Sequence, residues 1–176
     1  KYTSPLGWTD YRNLMIVGSG GNFGSTAQTG STFEFVGDSV AHATGGLFFR
    51  SVFTVVFRGV GFVNRTAGLS YFIDIGANDS PSLSSHRVLF DECGFGTAGS
   101  GACSQAGILV ANAKFVSFKG GLVDFRGERD FRFGLDASAS PNTLMGGVAL
   151  CCSVVDMLVF GDIDRRNCEQ LTVRRV

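Results

Sequence analysis

The segment Val55-Val56-Phe57-Arg58-Gly59-Val60-Gly61-Phe62 returns thirty-three residues later as Val88-Leu89-Phe90-Asp91-Glu92-Cys93-Gly94-Phe95, with both phenylalanines kept in register. A looser copy, Val116-Ser117-Phe118-Lys119-Gly120-Gly121-Leu122, follows after 28 residues, and a fourth, Leu158-Val159-Phe160-Gly161-Asp162-Ile163, after a further 42. Self-similarity at such a period marks a stack of small structural units, each burying the face that its neighbour leaves open. One unit alone has no core.

The units are built of strands. The chain has 25 Gly and 17 Phe against only three Lys and four Glu, so helix formers are scarce and strand and turn formers abundant. No window of eleven residues escapes Gly or runs of β-branched residues long enough to hold a 3.6-residue stripe, and at most one short helical turn is expected, near 5–11. First strands are predicted at 14–17, 54–57, 87–90, 115–118 and 157–160, and second strands at 46–52, 70–76, 106–111, 147–152 and 171–176. The stretches 79–85, 96–104 and 136–142 have loop composition and can bulge from the stack without disturbing it. Side chains alternate along a strand, so Val55, Phe57, Val88, Phe90, Val116, Phe118, Leu158 and Phe160 are expected to form inward columns, like stacked on like.

At 176 residues with 44% hydrophobic content the chain fits one folded domain, 1–176, with 1–11 as a lead-in. Fifteen basic and fifteen acidic residues cancel, which leaves no global field to draw the chain to nucleic acid or to an anionic membrane. The longest apolar run, 45–63, is broken by Arg50 and Arg58, so no membrane span is expected. The five cysteines lack any CxxC spacing and read as small buried hydrophobes, with Cys93 and Cys103 the one candidate bridge. The chain starts at Lys1 and stops in what reads as mid-strand, so it is taken as a piece of a longer protein.

Five coils of short strands, Gly corners, Phe and Val ladders and loops of unequal length resemble the right-handed, single-stranded parallel β-helix of the pectin-lyase-like superfamily, over residues 12–176. The wording Phe57-Arg58-Gly59-Val60-Gly61-Phe62-Val63-Asn64 is similar in particular to the spike and fibre proteins of phage tails. That resemblance implies a homotrimeric virion appendage, joined to other tail proteins, which binds and in some members cleaves a bacterial surface polysaccharide. The alternatives are a free-standing polysaccharide-degrading enzyme and a non-catalytic adhesin or autotransporter passenger. The Asn-Thr-Asp, Gly-His-Gly and Arg-Ile-Lys sets of polygalacturonases and the calcium-binding Asp cluster of pectate lyases are not found, so no catalytic residue carries over. No cofactor is expected.

Several motifs have bland readings. Gly94-Phe95-Gly96-Thr97-Ala98-Gly99 meets a dinucleotide-binding pattern but leads into Ser100-Gly101-Ala102 rather than a helix whose N-terminus could hold a pyrophosphate, and is read as a corner loop. His42 and His86 have no neighbouring ligands at metal spacing, so no metal site is expected and both are read as surface or strand-start residues. Asn64-Arg65-Thr66 and Asn78-Asp79-Ser80 fit a glycosylation pattern but read as turns, with Asn64 bonding along the stack.

Glycoside hydrolysis needs two carboxylates about 5 to 10 Å apart. Registered on the ladder phenylalanines, Arg58, Asp91 and Lys119 share one outward column and alternate in sign as a charge ladder. Glu92 and Asp162 share the next, separated by Gly120, and are the candidate catalytic pair. Asp124, Phe125, Glu128 and Phe131 form the candidate glycan surface, in a loop where Asp124, Glu128 and Asp130 interleave with Arg126, Arg129 and Arg132. Val56, Leu89 and Val159 are expected as an apolar outer column for self-association.

Overall fold

A computed structural model describes residues 1, 3–23, 28–37, 45–77, 84–99, 102–126, 129–140 and 142–176. Among them the regular elements are β-strands and a single 3-10 turn at Ala137–Ala139, so the chain is all-β as expected. The helical turn expected near 5–11 is instead the strand Leu6–Thr9.

Three parallel sheets hold all the strands except a small antiparallel hairpin, Gly21–Phe23 with Gln28–Gly30. Sheet I contains Arg12–Val17, Phe53–Arg58, Ser85–Asp91, Ser117–Lys119, Ser153–Val155 and Thr172–Arg174, extended sideways by Ala113–Lys114, Ala149–Leu150 and Cys168–Glu169. Sheet II contains Thr32–Phe35, Gly61–Asn64, Gly94–Thr97, Leu122–Asp124 and Leu158–Val159. Sheet III contains Leu6–Thr9, Leu47–Arg50, Tyr71–Ile75, Ala106–Val110, Arg129–Phe133 and Asp162–Arg165. Among the described residues the chain visits them in the unvarying cycle III, I, II, so each circuit crosses three sheets where two strands per circuit were expected.

The repeat is the inner face of sheet I. Ile16, Phe57, Phe90, Phe118, Val154 and Val173 lie in register on successive strands, flanked by Leu14, Val55 and Val88. Phe57 stacks on Phe90 at 5.4 Å and Phe90 on Phe118 at 5.0 Å, with ring planes 9° and 4° apart. Sheet II repeats the device with Phe33, Phe62 and Phe95, and sheet III with Trp8 on Phe49. Between sheets the rings meet edge to face, as Phe57 does with Phe62 at 5.4 Å and 76°. Offset stacking along a column and T-shaped contact across it both suit the aromatic quadrupole, so one ring type fills the core in two directions.

The fourth copy of the phrase is out of phase. Leu158 and Val159 pair with Leu122 and Val123 in sheet II, while the sheet I column continues through Cys152 and Val154. Leu158 is 54% exposed and Phe160 63%, so neither points inward. The segments 147–152 and 171–176, expected as second strands, belong to sheet I. Val159 is likewise in the inner column of sheet II and packs on the core, so the outer apolar column is Met15, Val56 and Leu89, followed by Ser117, Ser153 and Thr172.

Left-handed bends set the corners. From the second circuit on, the residue after the main sheet I strand has positive φ: Gly59 (60°), Glu92 (51°), Gly120 (65°), Asp156 (55°) and Arg175 (51°). A second series bends the same strands earlier, at Asn13, Thr54, Arg87, Phe115, Cys151 and Gln170. Gly suits this region at no steric cost, whereas each non-Gly residue there costs about 1–2 kcal/mol. The Gly of the repeated phrase is thus one rung of a bend that other circuits make with charged side chains.

Candidate functional site

The outward side of sheet III gathers chemistry from circuits far apart in sequence. Gly7, Phe48, Asp74, Leu109, Arg132 and Asp164 are in register on its outer face. Tyr71, Ala77, Ala106, Leu109 and Ala111 form a second apolar cluster outside the core, with Leu135 packed against it. A recess of about 270 Å³ opens there, floored by Leu109 and Ala77, walled by Tyr71 and Leu135, and rimmed by Gln105 and Asp74.

Its polar rim is tightly bonded. The Tyr71 hydroxyl lies 2.5 Å from Gln105 Oε1, and Arg132 donates to both, at 3.1 and 2.8 Å. Arg132 Nε also donates to Asp164 Oδ2 at 3.1 Å, where Arg166 makes a second contact at 3.1 Å and Arg129 a third at 3.6 Å. Burial pushes the Asp164 carboxyl up, but Arg166 and Arg132 outweigh it and hold its pKa below the usual range. Burial pushes the Tyr71 phenol up against the opposing charge of Arg132, so it stays a hydrogen-bond donor. Asp74 Oδ1 accepts the Ala77 N–H at 3.0 Å.

This arrangement can bind a ring better than it can cleave one. Asp74 and Asp164 are three strand steps apart, about 14 Å at the ~4.8 Å strand spacing, beyond the range in which two carboxylates act as acid and base on one glycosidic bond. Each is already committed to donors of its own. What the recess offers is an apolar lining with an amide, a phenol and a carboxylate among it, the composition of a small-ligand site.

The expected catalytic pair falls elsewhere. Glu92 sits at the sheet I to sheet II corner, with its carboxylate over Gly120, where an added Cβ would meet Oε1 at 2.3 Å. The next residue in that column is Asp156, because Lys119 pairs with Val155. Asp162 opens a strand of sheet III opposite Arg129. Glu92 and Asp162 are therefore not in one column, and Asp156, which is, bonds to Arg175 Nη2 at 2.9 Å.

The expected glycan surface is not exposed either. Phe125 and Phe131 are fully buried, so neither presents a ring face to solvent. Phe131 continues the inner column of Ile73 and Ile108, and Phe125 fills the space left by Gly107, where a Cβ would lie 1.9 Å from its ring. Asp124 caps the Arg126 N–H at 3.0 Å, and Glu128 lies outside the described residues. Asp130 is wholly buried and accepts the N–H groups of Phe125, Phe160 and Gly161 at 2.9, 3.1 and 2.6 Å. It clamps two circuits, and burial keeps its pKa raised against those three donors.

Arg58 Nε meets Asp91 Oδ2 at 2.8 Å with Lys119 next in register, so the charge ladder is present. All five cysteines are free: Cys93 does not bridge to Cys103, and burial pushes their thiols up to about 11 and about 12. Gly94–Thr97, read as a corner loop, is a sheet II strand. His86 is a strand-start residue as expected, whereas His42 and the turn at Asn78-Asp79-Ser80 lie outside the described residues. Asn64 bonds to the carbonyl and N–H of Thr66 in its own turn and donates to Cys103 Sγ, 39 residues on, at 3.8 Å, while its register partners are Phe35 and Thr97 rather than other Asn residues.

Among the described residues no helix is long and apolar enough to cross a membrane. Compared with known proteins, the chain matches no family model, no curated sequence and no solved structure.

Proposed function

We propose that this chain is a segment of a right-handed parallel β-helix from a virion tail spike or fibre, acting as scaffold and as a contact for a bacterial surface polysaccharide through the recess on sheet III. The fixed cycle through three parallel sheets supports the helix, and its hand follows from the strong preference of parallel crossover connections for right-handed turns. Assembly as a homotrimer belongs to the same reading, with Met15, Val56 and Leu89 in the seam.

The observation that carries the glycan contact is the recess itself: Leu109 and Ala77 line it beside Tyr71 and Gln105, whose polar ends Arg132 braces by hydrogen bonds to both. The roughly 14 Å between Asp74 and Asp164 favours binding over hydrolysis. The test is titration of capsule or lipopolysaccharide oligosaccharides into wild type and Leu109→Arg, which fills the floor with a charged chain. Binding to wild type that drops at least tenfold in the variant is expected, and equal binding by both rejects the recess as the contact.

A further inference from the structure

A second outward feature lies on sheet I, near its joint with sheet III. Arg12, Phe53, His86 and Lys114 are in register on four successive strands. The Arg12 guanidinium lies 4.7 Å over the Phe53 ring, and Phe53 stacks on His86 at 5.0 Å and 22°. The left-handed bend that follows turns Arg87 and Phe115 outward, and Phe115 is 49% exposed.

Among the described residues the cations of this strip lack carboxylate partners. Arg58, Arg132, Arg166 and Arg175 all sit on carboxylates, but among the described residues Arg12, Arg87 and Lys114 have no ion pair. Burial and then the charges of Lys114 and Arg87 lower the pKa of His86, which shares a 2.7 Å hydrogen bond with Ser84 Oγ. Three cations without carboxylates around a ring stack are an attractive site for an anion.

We infer that this strip binds an acidic polysaccharide, with sugar carboxylates on Arg12, Arg87 and Lys114 and a sugar face against Phe115. Arg12 and Lys114 stand three strand steps apart, about 14 Å at the ~4.8 Å strand spacing, with Arg87 on the strand beside Lys114, which suits a polymer carrying carboxylates at intervals along its length. Nucleic acid fits less well, because its denser phosphates reward a strong positive field and this chain has no net charge. Only the class of polymer rests on the preceding reading. No recess residue takes part, so the two proposals fail separately.

The test measures binding of polygalacturonate, polysialate and hyaluronate, with methyl-esterified polygalacturonate as the uncharged control and single-stranded DNA as the competing polyanion. At least one acidic polymer should bind to wild type and weaken as salt rises. Its affinity should fall about tenfold or more in Arg12→Gln/Lys114→Gln, fall similarly in Phe115→Ala, and stay within about twofold in Lys119→Gln, which removes an exposed cation outside the strip. An unchanged thermal midpoint in the variants separates lost binding from lost folding. No binding by any acidic polymer, equal binding by the ester or the double variant, or tighter binding of DNA overturns the inference.

Discussion

Sheet I and sheet III take part in the same circuits, yet they solve different problems. Sheet I repeats itself: Phe over Phe inside, Arg58 over Asp91 outside, with close bends at its edges. Sheet III has a mixed inner column of Leu47, Ile73, Ile108, Phe131 and Ile163, and its outer face joins Tyr71, Gln105, Arg132 and Asp164 from different circuits. Where like stacks on like, the neighbours along a column satisfy each other. Where unlike residues meet, excursions fold back and leave a recess.

The sharpest test of that contrast is in the core. Phe90→Ala should cost about 3–5 kcal/mol in urea unfolding, because it removes a ring stacked on both sides and leaves a cavity. Phe131→Leu, a smaller change in the mixed column, should cost under about 1.5 kcal/mol, and equal costs for Phe90→Leu and Phe131→Leu would erase the distinction. Asp130→Ala comes next, at about 3 kcal/mol, since it orphans three buried N–H groups where sheet III meets sheet II.

The outer faces differ in their response to pH and salt. The folded-state pKa of Asp164 is depressed, so its stabilising contribution is present above the ordinary carboxylate value of 3.8 and is lost as pH falls through the folded value. Asp164→Asn should therefore cost about 1 kcal/mol at neutral pH and progressively less in acid. Asp130 works in the opposite sense: its pKa is raised from 3.8, so its contribution to stability declines as pH rises through the folded value. On sheet I, a double-mutant cycle on Arg58 and Asp91 should give a coupling of only about 0.2–1 kcal/mol that fades in high salt. The smallest effect is Thr54→Asn, expected to stabilise by about 0.5 kcal/mol because Asn tolerates the left-handed bend better than a β-branched residue.

Sheet I was legible because its columns repeat in identity as well as in pattern: Val55 and Phe57 announce Val88 and Phe90. Sheet II was missed although its phenylalanines stand inside the same phrase, because strands of two to four residues, two of them beginning in Gly, look like corners. The slip at the fourth copy has a similar cause. Leu158-Val159-Phe160 imitates the phrase, while the true continuation, Cys152 and Val154, has lost its aromatic ring. No local signal marks the recess, since Arg132 reaches Asp164 32 residues ahead and Tyr71 61 residues behind. Phe125 and Phe131 misled because a phenylalanine between charged residues reads the same whether it faces in or out.

The link from sheet I to sheet II is two residues long in four successive circuits: Gly59-Val60, Glu92-Cys93, Gly120-Gly121 and Asp156-Met157. The other two edges carry all the later variation in circuit length, down to the 19 residues between the pair Asp156 and Arg175. One edge is thus a rigid spine and the others are ports. Short insertions at Ala98 or Thr143 should leave the stack standing, whereas a single residue added between Glu92 and Cys93 would turn the side chains of Gly94–Thr97 to the wrong face and take Phe95 out of the core. A protein so divided can exchange what it touches without changing how it stands.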